Sequence, residues 1–290
     1  MSVQATQAQR FASELERIVL TRIEANRLVV PAMPAVATKC LQTLRDPDFS
    51  AKKLVGQIES DPVLAALVLR TANSAAHGSG VKLLDQAVSR IGAQRMKTLV
   101  LEYASHELFQ SNDKRIAEAN RKIWEHSIAV ALLSRDLAAF AGNSDGDICY
   151  LGGLLHDVGK PVLASMMLEA ERKLGMGRAG WIDSEAWIET VTGAHRRVGT
   201  SVAAQWKLPQ EVTAAIRDCS DYDANERSCA ANVVRLANAI AKREGFATGP
   251  IDIDDTEAMI MVGRSMLGID EDVITRLAQG ITARVTQAIG

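Results

Sequence analysis

Residues 150–163 read YLGGLLHDVGKPVL, an apolar helical run that carries an imidazole and a carboxylate side by side at His156 and Asp157. Neighbouring positions on a helix diverge by about 100°. The two side chains can therefore share one ion only if it sits between them at the helix surface. A histidine beside a carboxylate is a usable ligand pair for zinc, iron or manganese. His126, some thirty residues earlier, lies on a preceding predicted helix that can pack antiparallel to this one and lend a third ligand. A blander reading stands beside this one, in which His156 and Asp157 satisfy each other or nearby backbone.

Outward from this stretch, helical periodicity dominates. Phe11, Leu15, Ile18, Val19 and Ile23 line one face of an amphipathic helix, with Glu14, Glu16 and Arg17 on the other. Pro31 and Pro34 end it and impose an extended entry to the next helix. Ser50 is placed to cap a helix carrying Leu54, Val55 and Ile58. Asp61 is placed to cap another whose first position is Pro62. That helix runs to Ala72 and stops at Asn73-Ser74, side chains suited to bonding the last carbonyls or starting the turn, or else to docking a partner. Helical patterns follow over 85–109, broken at Ile91-Gly92, then over 124–141, 148–168, 185–206, 210–217 and 230–243. Glycines mark a loop at 174–180, and a final helix starts at Glu271. No alternation is long enough for a sheet, so the expected class is all-α.

Composition narrows the function. Lys+Arg number 33 against Asp+Glu 35, and aromatics are 4% of the 290 residues. That leaves neither the charge excess nor the rings that general nucleic-acid binding requires. Cys40, Cys149, Cys219 and Cys229 form no CxxC pair, which reads as reduced thiols. The first residues, MSVQATQAQR, lack the apolar core of a signal peptide, and no window is apolar enough for a membrane span. The expectation is a cytoplasmic protein without membrane insertion. Trp124 and Trp206, set among aliphatics at helical spacing, are expected in the core.

Ordered matches over some 200 residues resemble the HDOD family, the HD-related output domain of bacterial signalling proteins, within the HD phosphohydrolase superfamily. They include VVPAMPAV, DPDFSAKKLVGQIESDPVLAALVLRTANS and AVSRIGAQRMKTLVL in the first half. IWEHSIAVA, LGGLLHDVGK and ETVTGAHRRVGTSVAAQWKLPQEVTAAI follow in the second. The resemblance implies an HD-like helical bundle joined to an N-terminal helical half. It divides the chain into an N-terminal amphipathic helix over 1–25, an HDOD domain over 26–245 (halves 26–112 and 113–245) and a C-terminal helical extension over 246–290.

It also implies a regulatory role, usually without enzymatic activity. The superfamily's single-metal site matches His126, His156 and Asp157, but its distant aspartate falls on Asn238, in VVRLANAIAKREG. A neutral carbonyl oxygen there weakens binding of a hard divalent ion. The related two-metal phosphodiesterases look to need further histidines. His195 matches one, while an expected pair falls on Cys219 and Ser220. Lys160 and Asp157 are the candidate catalytic residues, Lys160 matching a lysine that meets substrate phosphate in active relatives. Glu189 and Gly199 match family positions that can equally pack the bundle.

The expected function is a non-catalytic signal-transduction module with a degenerate HD site and one divalent metal (iron, manganese or zinc). It would act on other signalling proteins or bind a nucleotide or cyclic dinucleotide. The alternative is a mononuclear metal-dependent phosphohydrolase acting on a nucleotide or phosphodiester.

Overall fold

A computed structural model of the chain describes residues 17–25, 28, 30–74, 80–142, 145–173 and 185–289. The expected start of the first helix, at Phe11 and Leu15, and the glycine loop at 174–180 lie outside the described residues. Among those described there is no strand, and the fold is all-α as the periodicity implies. The chain divides into two units, residues 32–107 and a larger one built from residues 1–31 and 108–290.

The smaller unit contains α2 (Ala35–Leu44), α3 (Ala51–Glu59), α4 (Pro62–Ala72), α5 (Leu84–Ile91) and most of α6 (Ala93–Phe109). Its polar side chains largely finish helices. Ser50 Oγ accepts from Lys53 N at 3.2 Å and starts α3. Asp61 Oδ1 accepts from Val63 N and Leu64 N at 3.0 and 2.9 Å, and its Oδ2 accepts from Tyr103 Oη at 2.6 Å. Asn73 closes α4, its Nδ2 donating to Leu69 O and Val81 O while its Oδ1 accepts from Val81 N. The Asn-Ser pair thus contains a staple across the turn, and Leu54, Ile58, Leu64, Val68 and Met96 fill the core beneath.

The larger unit contains α1 (residues 17–24), α7 (Lys114–Phe140), α8 (Gly146–Leu155), α9 (Gly159–Lys173), α10 (Glu185–Gln205), α11 (Gln210–Asp218) and α12 (Ala230–Ala241). A π-helical turn, Lys242–Phe246, follows α12. Then come α13 (Ile253–Leu267), α14 (Glu271–Gln279) and α15 (Ile281–Ile289). Two glycines set the central packing. A Cβ on Gly153 would lie 2.9 Å from Ala131 Cα and Val130 O of α7, and one on Gly152 would lie 2.8 Å from Ala215 Cβ of α11. Only bare backbone lets α8 settle between those neighbours. Trp124 and Trp206 are buried, and the Trp206 indole donates to Pro31 O at 3.1 Å.

Three details differ from the periodicity. Residues 156–158 form a turn between α8 and α9, where an unbroken helix was expected. Helix α13 escapes an apolar count because its buried stripe is Thr256, Ile260, Gly263 and Leu267, half of which is not apolar. The last helix is two, divided at Gly280. Ile281 and Val285 of α15 are buried, and Arg284 Nη1 pairs with Asp136 Oδ2 of α7 at 2.6 Å, so the C-terminal helix docks on its own bundle. Among the described residues no helix is long and apolar enough to cross a membrane.

Candidate metal centre

His156 caps α8 with helical backbone angles, Asp157 lies in the turn that follows, and the Nε2 of one and Oδ2 of the other both lie near His126 Nε2. His126 arrives from α7. His126, His156 and Asp157 each offer one ligand atom, all within 4.8 Å of one another, and such a group could hold a metal ion.

Backbone carbonyls orient both rings. His126 Nδ1 lies 2.8 Å from Phe246 O, and His156 Nδ1 lies 2.7 Å from Gly153 O. A carbonyl only accepts, so both Nδ1 atoms carry hydrogen and both neutral rings present a lone pair at Nε2. Those Nε2 atoms face each other at 3.3 Å. Burial lowers the His126 pKa to about 3 and that of His156 to about 4, so neither carries the proton that would bridge them. Two lone pairs facing each other in a dry interior are repulsive until a cation comes between them. Such a donor set, with its outer hydrogen-bond partners in place, could hold a metal ion.

Asp157 completes it. Its Oδ2 lies 3.5 Å from His156 Nε2 and 3.8 Å from His126 Nε2. Burial alone would push this carboxyl up. Attraction to the Lys160 ammonium, with the hydrogen bond from His195, outweighs it, and the group stays ionised well below the usual carboxylate range. Lys160 Nζ sits 2.5 Å from Oδ2, and His195 Nε2 sits 3.2 Å from Oδ1.

His195 therefore grips the carboxylate from α10. Its position depends on Gly159, where any Cβ would collide with the His195 carbonyl. Small size at 159 is what lets α9 and α10 approach at this point.

The remaining sequence candidates divide. Asn238, on α12, has a buried Oδ1 with no hydrogen-bond partner. Cys219 is buried, its thiol pKa is raised by burial, and its Sγ reaches Ile216 O at 3.7 Å. A thiol held protonated is a poor ligand. Glu189 lies on α10, and Gly199 packs against Ile216 and Val158. Missed in the sequence were the carbonyls of Gly153 and Phe246, which no side-chain pattern announces. Lys242 was also missed, although it stands four residues after Asn238, on the same helix face.

Imidazoles from two helices, with a carboxylate at the turn that follows one of them, define a helical module of the HD class. The chain belongs to the HDOD domain family, whose model matches residues 30–222. It is 26% identical over 196 residues to an uncharacterized protein of Treponema pallidum, covering 65% of this chain and 37% of that one. The chain thus spans well under half of the curated relative it matches. Among solved structures, one from Shewanella amazonensis, provisionally named a metal-dependent phosphohydrolase, superposes with a TM-score of 0.70 at 22% identity, covering 95% of this chain and 99% of that one. Another from Marinobacter aquaeolei, provisionally assigned to signal transduction, gives 0.63 at 20% identity, covering 97% and 65%. At these identities the likeness establishes the shared fold.

Proposed function

We propose that the chain is a non-catalytic regulatory module of bacterial signalling, in which His126, His156, Asp157 and Asn238 hold one divalent ion and the module acts by binding proteins or a small ligand. The observation that carries this reading is closure. His126 and His156 are 1% exposed, Asp157 is 3% and His195 is 2%. A hydrolytic metal site keeps an open position for water and substrate. Here the two imidazoles and the carboxylate are surrounded by protein, and of the four ligands Asn238 alone is partly exposed. The carboxylate that would help activate water is already held by Lys160 on one oxygen and His195 on the other.

When bound, iron, manganese or zinc would supply the positive charge that lets two facing lone pairs and a carboxylate share a dry pocket. The chain's own residues do the rest. Gly153 O and Phe246 O fix the rings, His195 and Lys160 hold Asp157, and Asn238 adds a neutral oxygen. Exchanging Asn238 for aspartate adds an anionic donor. Asn238→Asp is expected to tighten metal binding by about tenfold, on the order of what a supporting ligand contributes, as read by competition with a chelating dye.

A second reading, a mononuclear phosphohydrolase, is favoured by the convergence of three good ligands and by the designation of the Shewanella relative. Its test is turnover of cyclic dinucleotides, nucleotides and model phosphodiesters by protein loaded with manganese, iron or zinc. The regulatory reading expects every substrate to remain intact. Metal-dependent hydrolysis that disappears in His156→Ala and Asp157→Ala would replace it with the enzymatic one.

A further inference from the structure

The carbonyl that orients His126 comes from far along the chain. Phe246 is the last residue of the π-turn Lys242–Phe246, 120 positions after the histidine whose Nδ1 it holds at 2.8 Å. A π-turn opens the helical ladder by one residue and changes where the carbonyls that follow point. Inside it, Gly245 takes φ 91° and ψ 7°. Nothing lies within 4 Å of the place a Cβ would occupy there. The glycine therefore serves its backbone angles and not its small size. Of the other residues, asparagine accepts such angles most readily.

Carboxylates hold the turn from the side. Arg243 Nε lies 3.1 Å from Glu244 Oε1, while Nη1 lies 3.8 Å from Glu257 Oε2 of α13 and 3.9 Å from Glu271 Oε1 of α14. Helix α13 is itself fixed in place. Tyr222 Oη donates to Met259 O at 2.8 Å, and a Cβ on Gly263 would collide with that phenol oxygen. The guanidinium thus ties the turn to an element that is packed, not loose.

Which nitrogen of His126 carries the proton decides whether the ring can be a ligand. Phe246 O keeps the proton at Nδ1 and leaves the Nε2 lone pair open. Without that carbonyl the neutral ring can carry the proton at Nε2 instead and donate it to His156 Nε2, 3.3 Å away. One hydrogen bond would then consume both ligand atoms, and the pair would close on itself.

We propose that Gly245 and Arg243 are positioning residues of the metal centre: through the π-turn they hold the Phe246 carbonyl on His126 and so select the tautomer that can ligate. The inference rests on the metal reading for its consequence, whereas the tautomer itself is a property of the metal-free protein.

Two measurements on the full chain test it. One is zinc affinity by competition with a chelating dye. The other is the nitrogen-15 imidazole spectrum of the metal-free protein, with His126 assigned by its loss in His126→Gln. Wild type is expected to show His126 with its proton at Nδ1. Gly245→Ala should weaken zinc binding by about tenfold, the lower end for loss of an outer partner of a ligand, and move the His126 proton toward Nε2. Gly245→Asn, which tolerates the same angles, should stay near wild type in both. Arg243→Gln should weaken binding by about two- to threefold, as for a partly exposed ion pair. Arg121→Gln, paired to Glu118 on the same helix as His126, should change neither.

A folded Gly245→Ala with wild-type affinity and tautomer would overturn the proposal. Equal damage from alanine and asparagine would overturn it too, because the backbone angle would then not be what matters. Arg243→Gln indistinguishable from Arg121→Gln would overturn the role given to Arg243. A wild type that takes up no zinc would end the metal reading, while an Nδ1 proton lost in Gly245→Ala would still support the positioning role.

Discussion

The two units put their polar side chains to different uses. In residues 32–107, Ser50, Asp61 and Asn73 use their oxygens and nitrogens on nearby groups, mostly backbone, closing the start of α3 and both ends of α4. In the larger unit, His126 Nε2 and His156 Nε2 face one another, and Asn238 Oδ1 and the Nε atoms of Arg196 and Arg235 have no partner. Native interiors satisfy nearly all such atoms. The facing Nε2 atoms beside the Asp157 carboxylate are therefore the pair that a bound cation would reconcile, whereas Ser50, Asp61 and Asn73 are satisfied within their own helices and turns.

Several substitutions would break or sharpen that contrast. The largest effect is expected at Gly159, where a Cβ meets backbone that cannot yield; Gly159→Ala should cost about 3 kcal/mol or more, read by urea unfolding. Gly56, in α3 of the smaller unit, has open space around its Cβ position. The matching Gly56→Ala should stabilise by about 0.5–1 kcal/mol. Equal effects at the two glycines would contradict the packing assigned to α9 and α10.

Acid should expose the centre next. His126 and His156 fall from 6.5 in the free side chain to about 3 and about 4 in the fold. Between those limits the unfolded chain binds protons that the folded chain refuses, so stability is intact above pH 6.5 and declines as pH drops toward 4. The metal-free protein should lose about 1–3 kcal/mol per pH unit through that window. His126→Gln should flatten the slope, whereas Asn73→Ala should lower stability without altering its pH dependence. Asn73→Ala is expected to cost about 1–3 kcal/mol for the backbone groups it strands. A variant profile parallel to wild type for His126→Gln would contradict the assigned neutral rings.

Much of this was legible in the residues. Ser50 and Asp61 were readable as caps because capping is local chemistry, settled within three residues. The expected proximity of His126 to His156 and Asp157 required only that two apolar helices pack antiparallel. What stayed hidden depends on the third dimension. The turn at 156–158 cannot be seen in an apolar run that continues past it. The carbonyls that fix the imidazoles belong to Gly153 and Phe246, and nothing about those residue types signals the role. Arg196 and Arg235 lie 39 positions apart in the sequence and come together only at Cys219. Helix α13 was invisible because a threonine and a glycine do the packing that an apolar count seeks in leucines.

The central claim is that the facing imidazoles and Asp157 form a divalent-cation site. Metal analysis of the purified protein by mass spectrometry tests it most directly, wild type beside the His156→Ala/Asp157→Ala double variant. The account predicts roughly one equivalent of iron, manganese or zinc in the wild type, as for a mononuclear site, and none in the variant. No metal above background in the wild type, even after incubation with each ion, together with a double variant that is folded and equally stable, would contradict it.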